Sequence, residues 1–179
     1  MIIKNEEKLR EKCPKFDFDN PTVDPIELKK QLIDAMFDHG GLGVSANQLG
    51  YKTRVFAMRG ATKKESVVCF NPEIVDFSPE MNTMEEGCLS LPDVYVRVVR
   101  PSHVAIKYLD EFQKEEGQLA DGLTARVFQH ELDHLDGILF TDRMGELTRK
   151  MALEKADKIR KARSRGKDWY VQKHSKMAL

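Results

Sequence analysis

His130-Glu131-Leu132-Asp133-His134 carries more chemistry in fewer residues than any other stretch of this chain. On a helix, positions i and i+4 share a face, so His130 and His134 can grip one metal ion. Glu131 lies about 100° further around, where its carboxylate can reach a water beside that metal and act as a base. A catalytic divalent metal takes three protein ligands and leaves one position open, so a third ligand is required. A histidine six residues beyond His134 supplies it in one zinc-protease pattern, but Phe140 stands there. Glu146 and Glu154 sit at a helix start and in a basic tail, without the spacing of glutamate-ligated enzymes. Upstream, Glu86-Gly87-Cys88-Leu89-Ser90-Leu91-Pro92 offers Cys88. A thiolate is a good ligand for iron or zinc, though Cys88 taken alone reads more readily as a small buried hydrophobe. Cys13, beside Pro14, and Cys69, between Val68 and Phe70, read as core residues.

The metal-binding helix is expected from about Leu123 to Asp136, stopped by Gly137. Val127, His130 and His134 share one face, and Phe128, Glu131, Leu132 and Leu135 widen it. More than half of the circumference is thus apolar or chemically committed, which buries the helix. Asp133 projects away from the metal and is expected to support the fold or orient a ligand. Glu86 needs a partner if buried, with Arg97 or Arg100 available. Residues 1–25 read as a loosely structured lead-in punctuated by Pro14, Pro21 and Pro25. Asp24 caps a helix with Pro25 in its first turn and Leu28, Leu32, Ala35 and Met36 on its apolar face, ended at Gly40-Gly41. Beyond a small, uncharged segment from Gly41 to Gly50, the period shifts towards two. Strands are expected at 53–58, 67–70, 74–77, 95–100 and 103–109, with exposed connections at 59–65 and 110–116 and a break at Pro101-Ser102. A charged helix from Glu146 to Arg163 carries a stripe of Ala152, Ala156, Ile159 and Ala162.

Three motifs in order, Gly41-Leu42-Gly43-Val44-Ser45-Ala46-Asn47-Gln48, Glu86-Gly87-Cys88-Leu89-Ser90 and Gln129-His130-Glu131-Leu132-Asp133-His134, resemble those of peptide deformylases over roughly residues 24 to 144. Ser45 replaces the commoner alanine, and the lead-in is less like the family. The resemblance implies an α+β fold: short antiparallel β-sheets packed around a central buried metal-binding helix, with an N-terminal helix and a basic C-terminal helix. It implies hydrolysis of the N-formyl group from the N-formylmethionine of nascent polypeptides, releasing formate. Cys88, His130 and His134 would hold one ferrous ion, with zinc, nickel or cobalt as substitutes. Glu131 would be the base, and Gln48 and the Leu89 N–H would meet the oxyanion. Gly43 would hydrogen-bond the substrate backbone, while Leu42, Leu89, Leu123 and Val127 are candidates to receive the methionine side chain.

The 179 residues suit a catalytic domain over 1–146 and a basic helix and tail over 147–179. Formal charge is zero but segregated: from Leu147 onwards 11 Lys+Arg face 3 Asp+Glu, a local +8. A polyanionic partner is one reading of that tail, ribosomal RNA by the resemblance; a solvated basic helix is the other. Three irregularly spaced cysteines fit a reducing compartment, cytoplasmic or organellar after transit-peptide removal. Met1–Arg10 has no signal-peptide core, and neither a membrane nor DNA is expected as a partner. Two rival readings are another HExxH metallopeptidase and a protein with a purely structural metal site.

Overall fold

The computed structural model describes residues 1–167. In chain order these form α1 (Glu6–Leu9), α2 (Pro25–Asp38), β1 (Gly43–Ser45), a 3-10 turn (Ala46–Leu49), β2 (Val55–Met58), β3 (Val67–Phe77), β4 (Met81–Cys88), β5 (Leu91–Pro101), β6 (His103–Leu109), β7 (Glu115–Asp121), α3 (Gly122–Leu135), a 3-10 turn (Phe140–Arg143) and α4 (Glu146–Ser164). The fold is α+β and antiparallel throughout. One sheet runs β1-β2-β3-β6-β7, and β4 and β5 form a separate hairpin.

The five-stranded sheet is covered on both faces near its β1 end, and β2 shows why. Val55 and Ala57 join Leu28, Leu32 and Met36 of α2 in one core cluster, while Phe56 and Met58 join Ala125, Val127 and Phe128 of α3 in another. Alternate residues point to opposite faces, so a strand between two helix layers must be apolar throughout, as Val-Phe-Ala-Met is. Phe56 meets Phe128 edge-on with ring centroids 5.0 Å apart. Burying a side chain of this size contributes about 1.5–3 kcal/mol. Helix α2 begins as expected: the Asp24 carboxylate accepts the Glu27 N–H at 2.9 Å, with Pro25 in the first turn.

Several elements differ from the sequence-based expectation. The two short strands predicted at 67–70 and 74–77 are one strand, β3, irregular where its register against β6 shifts between Phe70 and Glu73. Asn71 stands there at φ 51°, its amide bonded to both the N–H and the C=O of Phe16. Strand β4 was not predicted, because Met-Asn-Thr-Met-Glu-Glu has no apolar alternation and only its end, from Glu86, is buried. β1 is three residues long, and β7 takes in part of the expected 110–116 connection.

The lead-in is also more ordered than expected. Ile2, Leu9, Cys13 and Phe16 are buried, Asn5 caps α1, and the Cys13 N–H bonds the Leu135 carbonyl at the end of α3 at 2.8 Å. Its prolines break secondary structure without preventing burial. Helix α4 packs Ala156 with Val94, Val96 and Val98 of β5, and Arg163 grips Asp93 with two bonds of 2.9 Å. Among the described residues no helix is long and apolar enough to cross a membrane. Residues 168–179, the end of the basic tail, lie outside the described residues.

Gly137 ends α3 at φ +74°, and a Cβ there would collide with the backbone of Arg10. Gly137→Ala is therefore expected to destabilise the protein by about 1–3 kcal/mol or more, read as a lower urea midpoint at unchanged slope.

Candidate active site

Three segments meet at the buried face of α3. The helix brings His130, Glu131 and His134, the end of β4 brings Cys88, and the turn after β1 brings Gln48. All five are at most 2% exposed. The register shift between Gly87 and Cys88 displaces Cys88 from the regular ladder at the hairpin end. Ligand atoms of Cys88, His130 and His134 lie within 4.8 Å of one another, with Cys88 Sγ 3.1 Å from His134 Nε2. A tetrahedral metal with bonds of about 2.0–2.3 Å holds its donors roughly 3.3–3.6 Å apart, so the cluster fits one such ion with a position to spare. Burial alone would raise the Cys88 thiol, but the adjacent His134 and His130 pull it well below its ordinary value. The thiolate, which is the ligating form, is thereby favoured.

Behind the ligands lies a buried polar network centred on Glu86, whose side chain is fully inaccessible. Its Oε1 accepts from Arg100 Nε and Arg126 Nη1, both at 2.7 Å; its Oε2 accepts from Arg100 Nη2 and His130 Nδ1, both at 2.9 Å. Burial would raise this carboxyl, but its bonds to Arg100 and His130 hold it well below the usual range. As a carboxylate Glu86 accepts a hydrogen bond from the Nδ1–H of His130, which would leave Nε2 free as a metal donor and fixes the ring. Asp133 extends the network: it accepts from Arg100 Nη1 at 2.6 Å and from Arg143. Of the two partners foreseen for Glu86, Arg100 serves and Arg97 is exposed.

Arg126 was missed. It falls on the polar side of the helical wheel, yet it is 1% exposed and also donates to the carbonyls of Val98 and Asn82. The legible signal was Glu86 itself, since a carboxylate offers more lone pairs than one arginine fills. Asn47 was missed too; its Nδ2 donates to the His134 carbonyl at 2.7 Å, tying the glycine-rich segment to α3.

Gln48 is oriented from its own segment. Its Oε1 accepts from the Ser45 N–H at 2.9 Å and the Ser45 hydroxyl at 3.1 Å. The amide nitrogen therefore faces the metal ligands, 3.0 Å from Ser90 Oγ and 3.4 Å from Cys88 Sγ. Glu131 is held by close packing and by a hydrogen bond with the Ser45 side chain. A Cβ on Gly43 would lie 2.5 Å from Glu131 Oε1, and Glu131 Oε2 is buried with no hydrogen-bond partner among the described residues. Burial pushes Glu131 up to about 7, against the pull of His130 and His134. A buried carboxylate poised near neutrality, with an oxygen free, is suited to moving a proton.

Leu42, Leu123 and Val127 line one cavity of about 220 Å³ together with Met58, Arg59 and Thr124. Val127 is one helical turn before Glu131, and Leu42 precedes Gly43, so the cavity is lined by chain neighbours of the candidate site. Leu89 is not part of its lining; its side chain packs against Gly41. A larger cavity of about 580 Å³, lined by Arg54, Leu132, Asp136 and Arg143, adjoins Asp133 and none of the metal-ligating side chains.

The family model for polypeptide deformylase matches residues 1–150, including the lead-in. A peptide deformylase of Agrobacterium fabrum is 38% identical over 141 residues, 77% of this chain and 83% of the relative. The crystal structure of a peptide deformylase from Legionella pneumophila superposes with a TM-score of 0.81 at 36% identity, covering 92% of this chain and 97% of that one. A peptide deformylase of Acinetobacter baumannii, solved with Met-Ala-Ser bound, superposes at 0.74 with 32% identity over 80% of this chain and 97% of that one.

Glu86→Gln removes the charge that both arginines and the His130 N–H require. It is expected to weaken metal binding about 10–100-fold in a chelator competition. The same substitution should cost about 3–5 kcal/mol of stability in urea, because the buried Arg126 guanidinium loses its counter-charge and Arg100 is left with Asp133 alone.

Proposed function

Because the chain belongs to the peptide deformylase family, metal-dependent hydrolases acting on the N-formyl group of nascent peptides, we propose that Cys88, His130 and His134 hold the metal and that Glu131 is the base. The observation that carries this assignment is the convergence of three buried metal donors on one helix face beside a carboxylate with an unpartnered oxygen. When bound, the divalent cation supplies Lewis acidity at the formyl oxygen and lowers the pKa of water beside it. Glu131 takes the proton from the attacking water and delivers it to the nitrogen as the C–N bond breaks, so the amine does not leave as an anion. Negative charge on the former carbonyl oxygen is met by Gln48 Nε2–H and the Leu89 N–H. One such donor is worth about 3–4 kcal/mol of transition-state stabilisation. Gly43 presents its backbone to the peptide, and the cavity of Leu42, Leu123 and Val127 takes the methionine side chain. The products are formate and a free α-amine.

The donor set of one thiolate and two imidazoles suits ferrous iron, with zinc, nickel or cobalt as substitutes. An iron–thiolate site is oxidisable, and with three free cysteines among the described residues it suits a reducing, cytoplasm-like compartment. A structural metal site is not favoured: neither Cys13 nor Cys69 joins the cluster as a fourth donor, and Glu131 would have no task. A chain organised as a catalytic domain over 1–146 and a basic segment over 147–179 has a second surface to use. The exposed side of α4 carries Lys150, Lys155, Lys158 and Lys161, and Arg165 and Lys167 follow its end, which suits docking on ribosomal RNA near emerging peptides.

Glu131→Gln is expected to keep the metal bound while lowering the rate of formate release from formyl-Met-Ala peptides by about 10²–10⁴-fold. Near-normal turnover at full metal occupancy would remove Glu131 from the mechanism. Ala156 and Ile159 are buried, so the docking surface is best tested by charge reversal. Replacing Lys150, Lys155, Lys158 and Lys161 with glutamate should abolish ribosome co-sedimentation and leave peptide turnover unchanged. Undiminished co-sedimentation would exclude this face.

A further inference from the structure

Arg59 lies at the end of β2 on the wall of the cavity assigned to the methionine side chain. Its backbone N–H donates to the Leu42 carbonyl at 2.9 Å, and its Nη1 donates to the Gly41 carbonyl at 3.2 Å. The guanidinium carbon sits 4.0 Å above the centre of the Phe37 ring. This side chain is exposed yet fixed, by a neutral acceptor on one side and an aromatic face on the other. Among the described residues no carboxylate pairs with it. By contrast Arg10, Arg54, Arg100, Arg143 and Arg163 all meet carboxylates, and Lys63 on the neighbouring loop meets Asp34 at 2.6 Å. Glu65 also lines the cavity, but its Oε2 accepts from the Thr62 N–H of its own loop.

We propose that Arg59 is a specificity-determining residue, selecting formyl peptides that carry a side-chain carboxylate at the residue after formylmethionine. The inference rests on the reading above, in which the methionine side chain fills the cavity and the peptide backbone passes Gly43. The peptide continuing from the methionine Cα then runs along the rim of the cavity, where Arg59 is bonded to the Gly41–Leu42 backbone. Guanidinium and carboxylate form paired, charge-assisted bonds. The arginine is already immobilised by Gly41 and Phe37, so little side-chain freedom remains to be lost on binding. Because the pair would be solvent-exposed, selectivity is modest, about three- to tenfold.

The test compares kcat/KM for formyl-Met-Asp, formyl-Met-Asn and formyl-Met-Lys peptides on the metal-loaded enzyme. The expected order is Asp above Asn above Lys, with an Asp-to-Lys ratio of about three to ten at low salt that shrinks at 0.5 M salt. Arg59→Gln should bring the ratio close to one, and Arg59→Glu should invert it. An equal ratio in the unsubstituted and Arg59→Gln enzymes overturns the proposal. So does a ratio insensitive to salt in the unsubstituted enzyme, which requires no variant to fold. Failure of the underlying reading shows separately. Val127→Phe should fill the cavity and erase the preference for formyl-Met over formyl-Ala peptides; an unchanged preference refutes the cavity assignment whatever Arg59 does.

Discussion

A carboxylate with no solvent exposure survives in a folded protein only where its charge and its lone pairs are answered by other groups. Glu86 meets that demand with two arginines and a histidine, and the rest of the site follows from how it does so. Glu86 and Arg100 come from the β4–β5 hairpin, whereas Arg126 and His130 come from α3. The bonds to Arg126 and His130 therefore also tie the hairpin to the helix. Cys88 lies two residues beyond Glu86 in the same strand, so the anchoring that holds Glu86 on α3 also sets the thiol against the two imidazoles. Asp133 reinforces the arrangement from the far side by holding Arg100 against Glu86 while itself held by Arg143.

The second requirement is close approach. Glu131 lies under β1, where Gly43 leaves no room for a methyl group above it. The same strand is edged by α2 on one face and α3 on the other, so its Val44 and Ser45 are fully buried. Glu131 is thus oriented by shape as well as by its bond with Ser45. One of its oxygens keeps its full basicity for a proton, which a bonded carboxylate would share.

The three longer helices, the α+β class and the residues brought together at the candidate metal site were legible because their signals are local. Asp24-Pro25 starts a helix, Gly137 stops one, and His130 and His134 share a face by spacing alone. What escaped depends on partners distant in sequence. Strand β4 has no apolar period because its exposed half faces water; only its pairing with β5 makes it a strand. Arg126 looked like a solvent residue because helical projection says nothing of what packs on the opposite side. The lead-in looked loose because its buried residues, Ile2, Leu9, Cys13 and Phe16, follow no period. They fit gaps between elements that form elsewhere. Of the four residues named for the methionine pocket, Leu42, Leu123 and Val127 share a cavity and Leu89 does not, since its side chain turns towards Gly41.

Three bonds made entirely of protein atoms connect the segments around the metal donors in a closed loop: Glu86 to His130, Gln48 to Cys88, and Asn47 to the His134 carbonyl. Small zinc domains rely on the ion to gather ligands that otherwise drift apart, and they unfold when it is withdrawn. Here the cup is gathered by the fold. A site framed this way would owe its shape to the fold, and an ion binding there would add ligand bonds without having to gather the segments.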